Sequence, residues 1–174
     1  MTAMATALDD QKKLADLYRA DFYAWARQQA AALRDFQTTR PNLPLDLAHL
    51  IEEVDGLADT KLSAVKSQVA RIMVHYLKLE FSPAAPPRRK WEVSIIDAQN
   101  AIDSDMTPTI WSDVERGLAP FYKGARRLAA AELRARNEPE AAVALPETCP
   151  YTLDQLLDET WRPANRHGLV DEPL

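Results

Sequence analysis

The sequence predicts an all-α protein: an up-and-down four-helix bundle of long helices, closed by a C-terminal short-helix strap. Three observations point there. Apolar residues recur at three- and four-residue steps over long windows, the period of one helix face. Glycine is scarce, 4 in 174 residues, while Ala, Leu, Glu and Arg are abundant. No stretch alternates apolar and polar residues as a half-buried strand does. Short proline-bearing breaks separate the helical blocks and suit antiparallel neighbours. At this length one core suffices, so a single helical domain over 1–174 is expected.

The first helix is expected over 8–37, where Leu14, Leu17, Tyr18, Trp25, Ala32 and Phe36 form the stripe. Asp21 falls inside that stripe. An unpaired buried charge is costly, so Asp21 must be paired or lie at a wet edge. TTRPNLPLD (38–46) reads as a linker, because its prolines and asparagine break the pattern. Asp46 then opens a helix over 46–81 as N-cap, with Leu45 and Leu50 spaced as a hydrophobic staple. Leu47, Ile51, Val54, Leu62, Val65, Val69, Ile72, Met73 and Tyr76 hold helical spacing almost to Phe81. Roughly 35 residues at about 1.5 Å each give a helix about 50 Å long.

SPAAPP (82–87) is the second break. A third helix over 88–104 carries Trp91, Ile95, Ala98 and Ile102 on one stripe. Thr107 and Pro108 make an N-cap and first-turn pair for a fourth helix over 108–136. Pro120 lies inside it, which predicts a kink or two abutting helices near Ala119. NEPEAAVALPETCP is a connection. The segment CPYTLDQLLDETWRP (149–163) then starts a short helix, with Thr152 and Gln155 as a capping box and Tyr151 and Leu156 as its staple.

The totals exclude several function classes. Net charge is −5 and the sequence pI is about 5.2, which argues against general affinity for nucleic acid or anionic membranes. No apolar run approaches the ~20 residues of a membrane span, and MTAMATALDDQKK lacks the basic start and apolar core of a secretory signal. A single cysteine fits a reducing compartment, so a cytoplasmic protein is expected.

Individual motifs each admit a plainer role. In HLIEEVD, His49 and Glu53 stand one turn apart, a spacing that can bring two ligands to a metal. Carboxylate-bridged bundle sites need Glu-x-x-His on two helices, and no such motif occurs. His49 and Glu53 therefore read as surface groups, and no metal or other cofactor is assigned. His75, at the margin of its stripe, reads as a half-buried histidine bonded to a carboxylate such as Asp21, or as a general base. Cys149 has no CxxC partner and reads as a packing residue. Arg88, Arg89 and Lys90 beside Trp91 could grip phosphates or nucleic acid. No binding motif accompanies them, and they read as partners for the acidic excess.

The blocks LYRADFYAWARQQAAALR (17–34), LAHLIEEVDGL (47–57), VHYLKLEF (74–81), RRKW and CPYTLDQLLDETWRP together resemble the bacterial domain of unknown function family number twenty-nine. Those proteins are uncharacterised and helical, and occur in cyanobacteria and proteobacteria. The resemblance spans nearly the whole chain and keeps the order of the blocks. It implies a compact, mostly helical fold and supplies no activity, cofactor or catalytic residue. By this resemblance Asp21 and Trp25 match the first-helix motif. Glu52 and Glu53 match the "LIEE" motif, His75 and Lys78 the "HLLK"-like motif, and Trp91 the third helix. His49 stands where the family often has Asn, which weakens the metal idea further.

No catalytic constellation stands out among these residues. The expected role is a non-enzymatic helical module acting through a protein partner or self-association. Asp21, Trp25, Glu52, Glu53, His75 and Trp91 form its candidate polar cluster. The alternative is an enzyme or metal-dependent binder with Asp21, Glu53 and His75 at a site between helices one and two.

Overall fold

The computed structural model describes residues 2–40 and 44–170. Within them every regular element is a helix: α1 Thr2–Ala20, α2 Phe22–Thr39, α3 Leu47–Phe81, α4 Arg88–Asp103, α5 Pro108–Arg116, α6 Leu118–Ala135, α7 Pro139–Ala144 and α8 Leu153–Leu157. The centre of the first linker, 41–43, lies outside the described residues. Among the described residues no helix is long and apolar enough to cross a membrane. The chain divides into two compact units, Met1–Ser63 with Thr107–Ser112 and Ala64–Met106 with Asp113–Leu174.

In the first unit the continuous helix expected over 8–37 is instead two helices parted at Asp21. Its backbone leaves helical space (φ −150°, ψ 82°), and its Oδ1 accepts the Ala24 N–H at 2.9 Å as the N-cap of α2. The second carboxylate oxygen accepts the Thr109 N–H at 3.2 Å. That donor stands near the start of α5, where a helix leaves N–H groups without partners of its own. The stripe position was therefore filled by an acid because two helix starts converge on it. The buried side of this unit is thin. Ala26, Ala30 and Ala58 are fully enclosed, and Tyr23, Leu47, Ile51, Leu62 and Ile110 are buried as well. Ion pairs join α2 to the first half of α3: Arg27 reaches Asp55 at 3.0 Å and Asp59 at 2.5 Å, and Arg34 also pairs with Asp55. Leu45 and Leu50, expected as a staple, both remain about half exposed.

The second unit is built around the other half of α3. Here Ile72, Met73, Tyr76, Leu77 and Leu79 are fully buried, so the helix is apolar nearly all round, as befits a central element. Trp91, Ile95, Ala98 and Ile102 of α4 add to the core, with Tyr122, Ala125, Ala129 and Leu133 of α6. The α5–α6 break falls at Gly117. A Cβ there would come within 2.6 Å of the Phe121 ring, so any side chain would displace it. Pro120 then sits in the first turn of α6, where its missing N–H leaves no intrahelical bond unmade. α6 ends in a Schellman motif. The Glu138 N–H bonds Leu133 O at 3.0 Å, the Asn137 N–H bonds Arg134 O at 3.0 Å, and Asn137 takes the left-handed conformation (φ 64°). Pro139 starts α7, which packs back on α6.

The C-terminal segment crosses the end of α3. Thr152 and Gln155 form the reciprocal capping box of α8, and Leu153, Leu156 and Tyr151 are buried. Tyr151 Oη donates to Glu80 at 2.9 Å, and Tyr76 Oη donates to Trp161 O at 3.0 Å. The three rings of Tyr76, Tyr151 and Trp161 pack edge-on or tilted, with centroids 5.4–6.1 Å apart. Asn165 Nδ2 then donates to Leu79 O at 2.7 Å and Ser82 O at 3.0 Å. These are carbonyls that the end of a helix leaves without intrahelical donors.

Candidate functional site

Within the second unit, α3 and α6 enclose a partly open groove of about 550 Å³. The α3 wall is Ser67, Gln68, Ala70, Arg71, Val74 and His75; Phe121, Gly124, Ala125, Leu128 and Glu132 face it from α6. Both sets repeat at three- and four-residue steps, so each helix gives the groove one continuous edge. Two buried atoms on the α3 wall have no hydrogen-bond partner, Gln68 Oε1 and His75 Nδ1. Burial, then the Lys78 charge, push the His75 imidazole down to about 4, against the smaller opposing pull of Glu132. It is therefore neutral at ordinary pH.

Behind His75 lies a cationic cluster. Lys78 is almost fully buried, and its Nζ donates to Glu132 Oε2 at 2.5 Å. The same ammonium lies 5.0 Å from the centroid of the Trp91 ring, and Arg136 lies 5.5 Å from it. Desolvation lowers the Lys78 pKa, while the bond to Glu132 opposes that change. Trp91 and Glu132 thus stabilise a charge that the core would otherwise reject.

The chain belongs to a family by its sequence as well as its helices. Residues 17–162 match the family model described as Domain of unknown function DUF29. The chain is a DUF29 protein. A crystal structure of an alpha-helical protein of unknown function from Rhodospirillum rubrum ATCC 11170 is similar to it, with a TM-score of 0.71 and 31% identity, covering 83% of this chain and 90% of that one. No curated protein matches. Family and neighbour alike leave the biochemical function unknown.

The residues singled out from the sequence fall in different settings in this DUF29 chain. Asp21 and Trp25 belong to the first unit. Burial raises the Asp21 carboxyl, but hydrogen bonds from Ala24, Thr109 and Thr107 outweigh it and hold the group below its usual range. Trp25 packs its ring edge-on to Tyr18, at 4.8 Å between centroids. Glu52 and Glu53 are exposed on α3. His49 is exposed too and bonds its neighbour Asp46 at 2.6 Å, which raises its pKa. His75 and Trp91 belong to the second unit, and the carboxylate bond expected for His75 is absent at Nδ1. Arg88, read as a partner for the acidic excess with phosphate binding as the weaker alternative, is buried and donates to Leu79 O at 2.7 Å. Cys149 is half-buried, and burial raises its thiol pKa, the reverse of an activated nucleophile. Among the described residues no group of three or more His, Cys, Asp or Glu side chains is placed to hold a metal ion.

Sequence reasoning missed Gln68, Arg71, Phe121, Gly124 and Glu132. The available signal was polar: Gln68, Arg71 and His75 recur at helical spacing beside the apolar stripe of Val65, Val69, Ile72 and Tyr76.

Proposed function

We propose that this chain is a non-enzymatic helical module that acts through protein contacts, and that the contact is self-association through the first unit. One observation carries this: beside the buried core of this unit, two large apolar side chains of α3 stay outside. Ala26, Ala30 and Ala58 are fully buried, whereas Leu50 is 46% and Leu57 52% exposed. Leu50 and Leu57 are seven residues apart on α3, the repeat that pairs one helix with another. A second copy presents the same seam, which suits a two-fold, isologous contact. The ion pairs of Arg27 and Arg34 with Asp55 fix α2 against α3 and hold that seam in place. Cys149, a free thiol, suits work in a reducing cytoplasm.

The test is light scattering on the whole chain and on a Leu50→Asp, Leu57→Asp double variant. Wild type should assemble and the variant, folded by circular dichroism, should be monomeric. Assembly of the variant at the wild-type concentration would refute the assignment of this face.

A further inference from the structure

Two contacts cross the α3–α6 groove and bound it. At one end Lys66 Nζ lies 5.2 Å from the centroid of the Phe121 ring, and at the other Lys78 Nζ donates to Glu132 Oε2 at 2.5 Å. These residues come in the same order on both helices, so α3 and α6 run parallel along the groove. The space between them, about 550 Å³, lies within the range of small-molecule sites, about 300–1,000 Å³. Ala70, Val74, Phe121, Ala125 and Leu128 give it apolar walls, and Gly124 leaves room beside them. Leu128 is 53% exposed there, so its apolar surface stays in water until a ligand covers it.

The charges along the groove do not cancel. Glu132 is the one acid among its described lining residues, and its carboxylate is already bonded to the Lys78 ammonium. Arg71, part-way along the α3 wall, is exposed and enters no ion pair among the described residues. Lys66 adds a cation at the Phe121 end. His75 registers the balance: behind burial, the Lys78 charge lowers its pKa more than Glu132 raises it, and Arg71 adds to the lowering. A ligand cation therefore meets repulsion, and a neutral ligand leaves the Arg71 charge unused. A carboxylate instead accepts two parallel N–H bonds from a guanidinium.

We propose that the groove binds a small monocarboxylate with an apolar body, its carboxylate held by the Arg71 guanidinium and its body laid against Phe121 and Leu128. Alkyl and aryl carboxylates are the chemical class. The site lies in the second unit and does not depend on the self-association proposed above.

The test is calorimetric titration of hexanoate into the full chain at neutral pH, with the Leu128 methyl signals followed in parallel. Acetate, hexanol and hexylammonium supply the anion without a body, the neutral body and the cationic body. Hexanoate should saturate, shift Leu128 and bind at least about ten-fold tighter than hexanol, the size of one charge-assisted hydrogen bond. Arg71→Gln, at an exposed position, should remove that advantage. Lys12→Gln, which deletes the same charge from the first unit, should leave it intact. Gly124→Leu should abolish binding, because a Cβ built at Gly124 meets nothing within 4 Å and the added side chain fills the groove without striking the core. The proposal fails if hexanoate does not saturate, if acetate or hexanol binds equally well, or if hexylammonium binds more tightly. It fails equally if Arg71→Gln or Gly124→Leu, folded by circular dichroism, binds hexanoate as wild type does.

Discussion

Protonating His75 works against the folded chain. Its pKa lies near 4 in the fold against 6.5 for an ordinary histidine, with burial and then the Lys78 charge as causes. Between those values the unfolded chain binds more protons, so stability is full above about pH 6.5 and falls as pH drops toward 4. The shift bounds the loss at about 3 kcal/mol, and the ring's remaining solvent contact reduces it to roughly 1–2 kcal/mol. Asp21, with its lowered pKa, destabilises in the same sense only in stronger acid, and exposed His49 titrates with the opposite sign above 6.5. Urea unfolding of wild type and His75→Gln between pH 4.5 and 7 should therefore diverge, with the variant's profile flatter. Parallel profiles would mean that His75 is not held neutral. The prediction rests on position alone. The stripe margin marked His75 as half-buried and Lys78 follows it by three residues on the same helix, but nothing in the sequence revealed that Glu132 would join them.

At the scale of an element, the break between α1 and α2 shows how a distant contact overrides local pattern. Ala20, Asp21 and Phe22 contain neither proline nor glycine, and helical periodicity runs straight through them. The Thr109 N–H, 88 residues away, makes Asp21 worth more as a cap than as a helical residue. Asp21→Ala should lower stability by roughly 1–2 kcal/mol through the lost cap and the orphaned Thr109 donor. Glu53→Ala, at an exposed position, should change it by less than about 0.5 kcal/mol. Equal effects in chemical denaturation would overturn the distinction. The C-terminal segment is the opposite case, because its capping box, staple and terminal proline are local and could be read directly. What it covers was not readable: Glu80, Tyr76 and the last carbonyls of α3 become its partners only in three dimensions. Deleting residues 149–163 should lower the melting temperature by more than about 10 °C, since it exposes Tyr76 and removes several buried partners. An unchanged melting temperature would show that the segment does not hold the second unit together.

For the whole molecule, helical class was legible because scarce glycine and long three-four periodicity leave no room for strands. The subdivision of the helices was legible only in part: Pro120 pointed to two abutting helices near Ala119 and the break falls at Gly117, whereas the break at Asp21 depends on Thr109, distant in sequence. The groove was hidden for a similar reason: its two walls come from helices about fifty residues apart, and only their packing brings His75 and Glu132 to one site. The apolar excess of the first unit was partly visible, as Tyr18 lay on the first-helix stripe and Leu50 was read as half of a staple. Their exposure in the folded chain is what points to a partner. Sedimentation velocity on the intact chain over a wide concentration range tests that reading most directly. Self-association predicts a species of twice the 19.6 kDa chain mass that grows with concentration and is absent from the Leu50→Asp, Leu57→Asp variant. A single 19.6 kDa species at every concentration would contradict it.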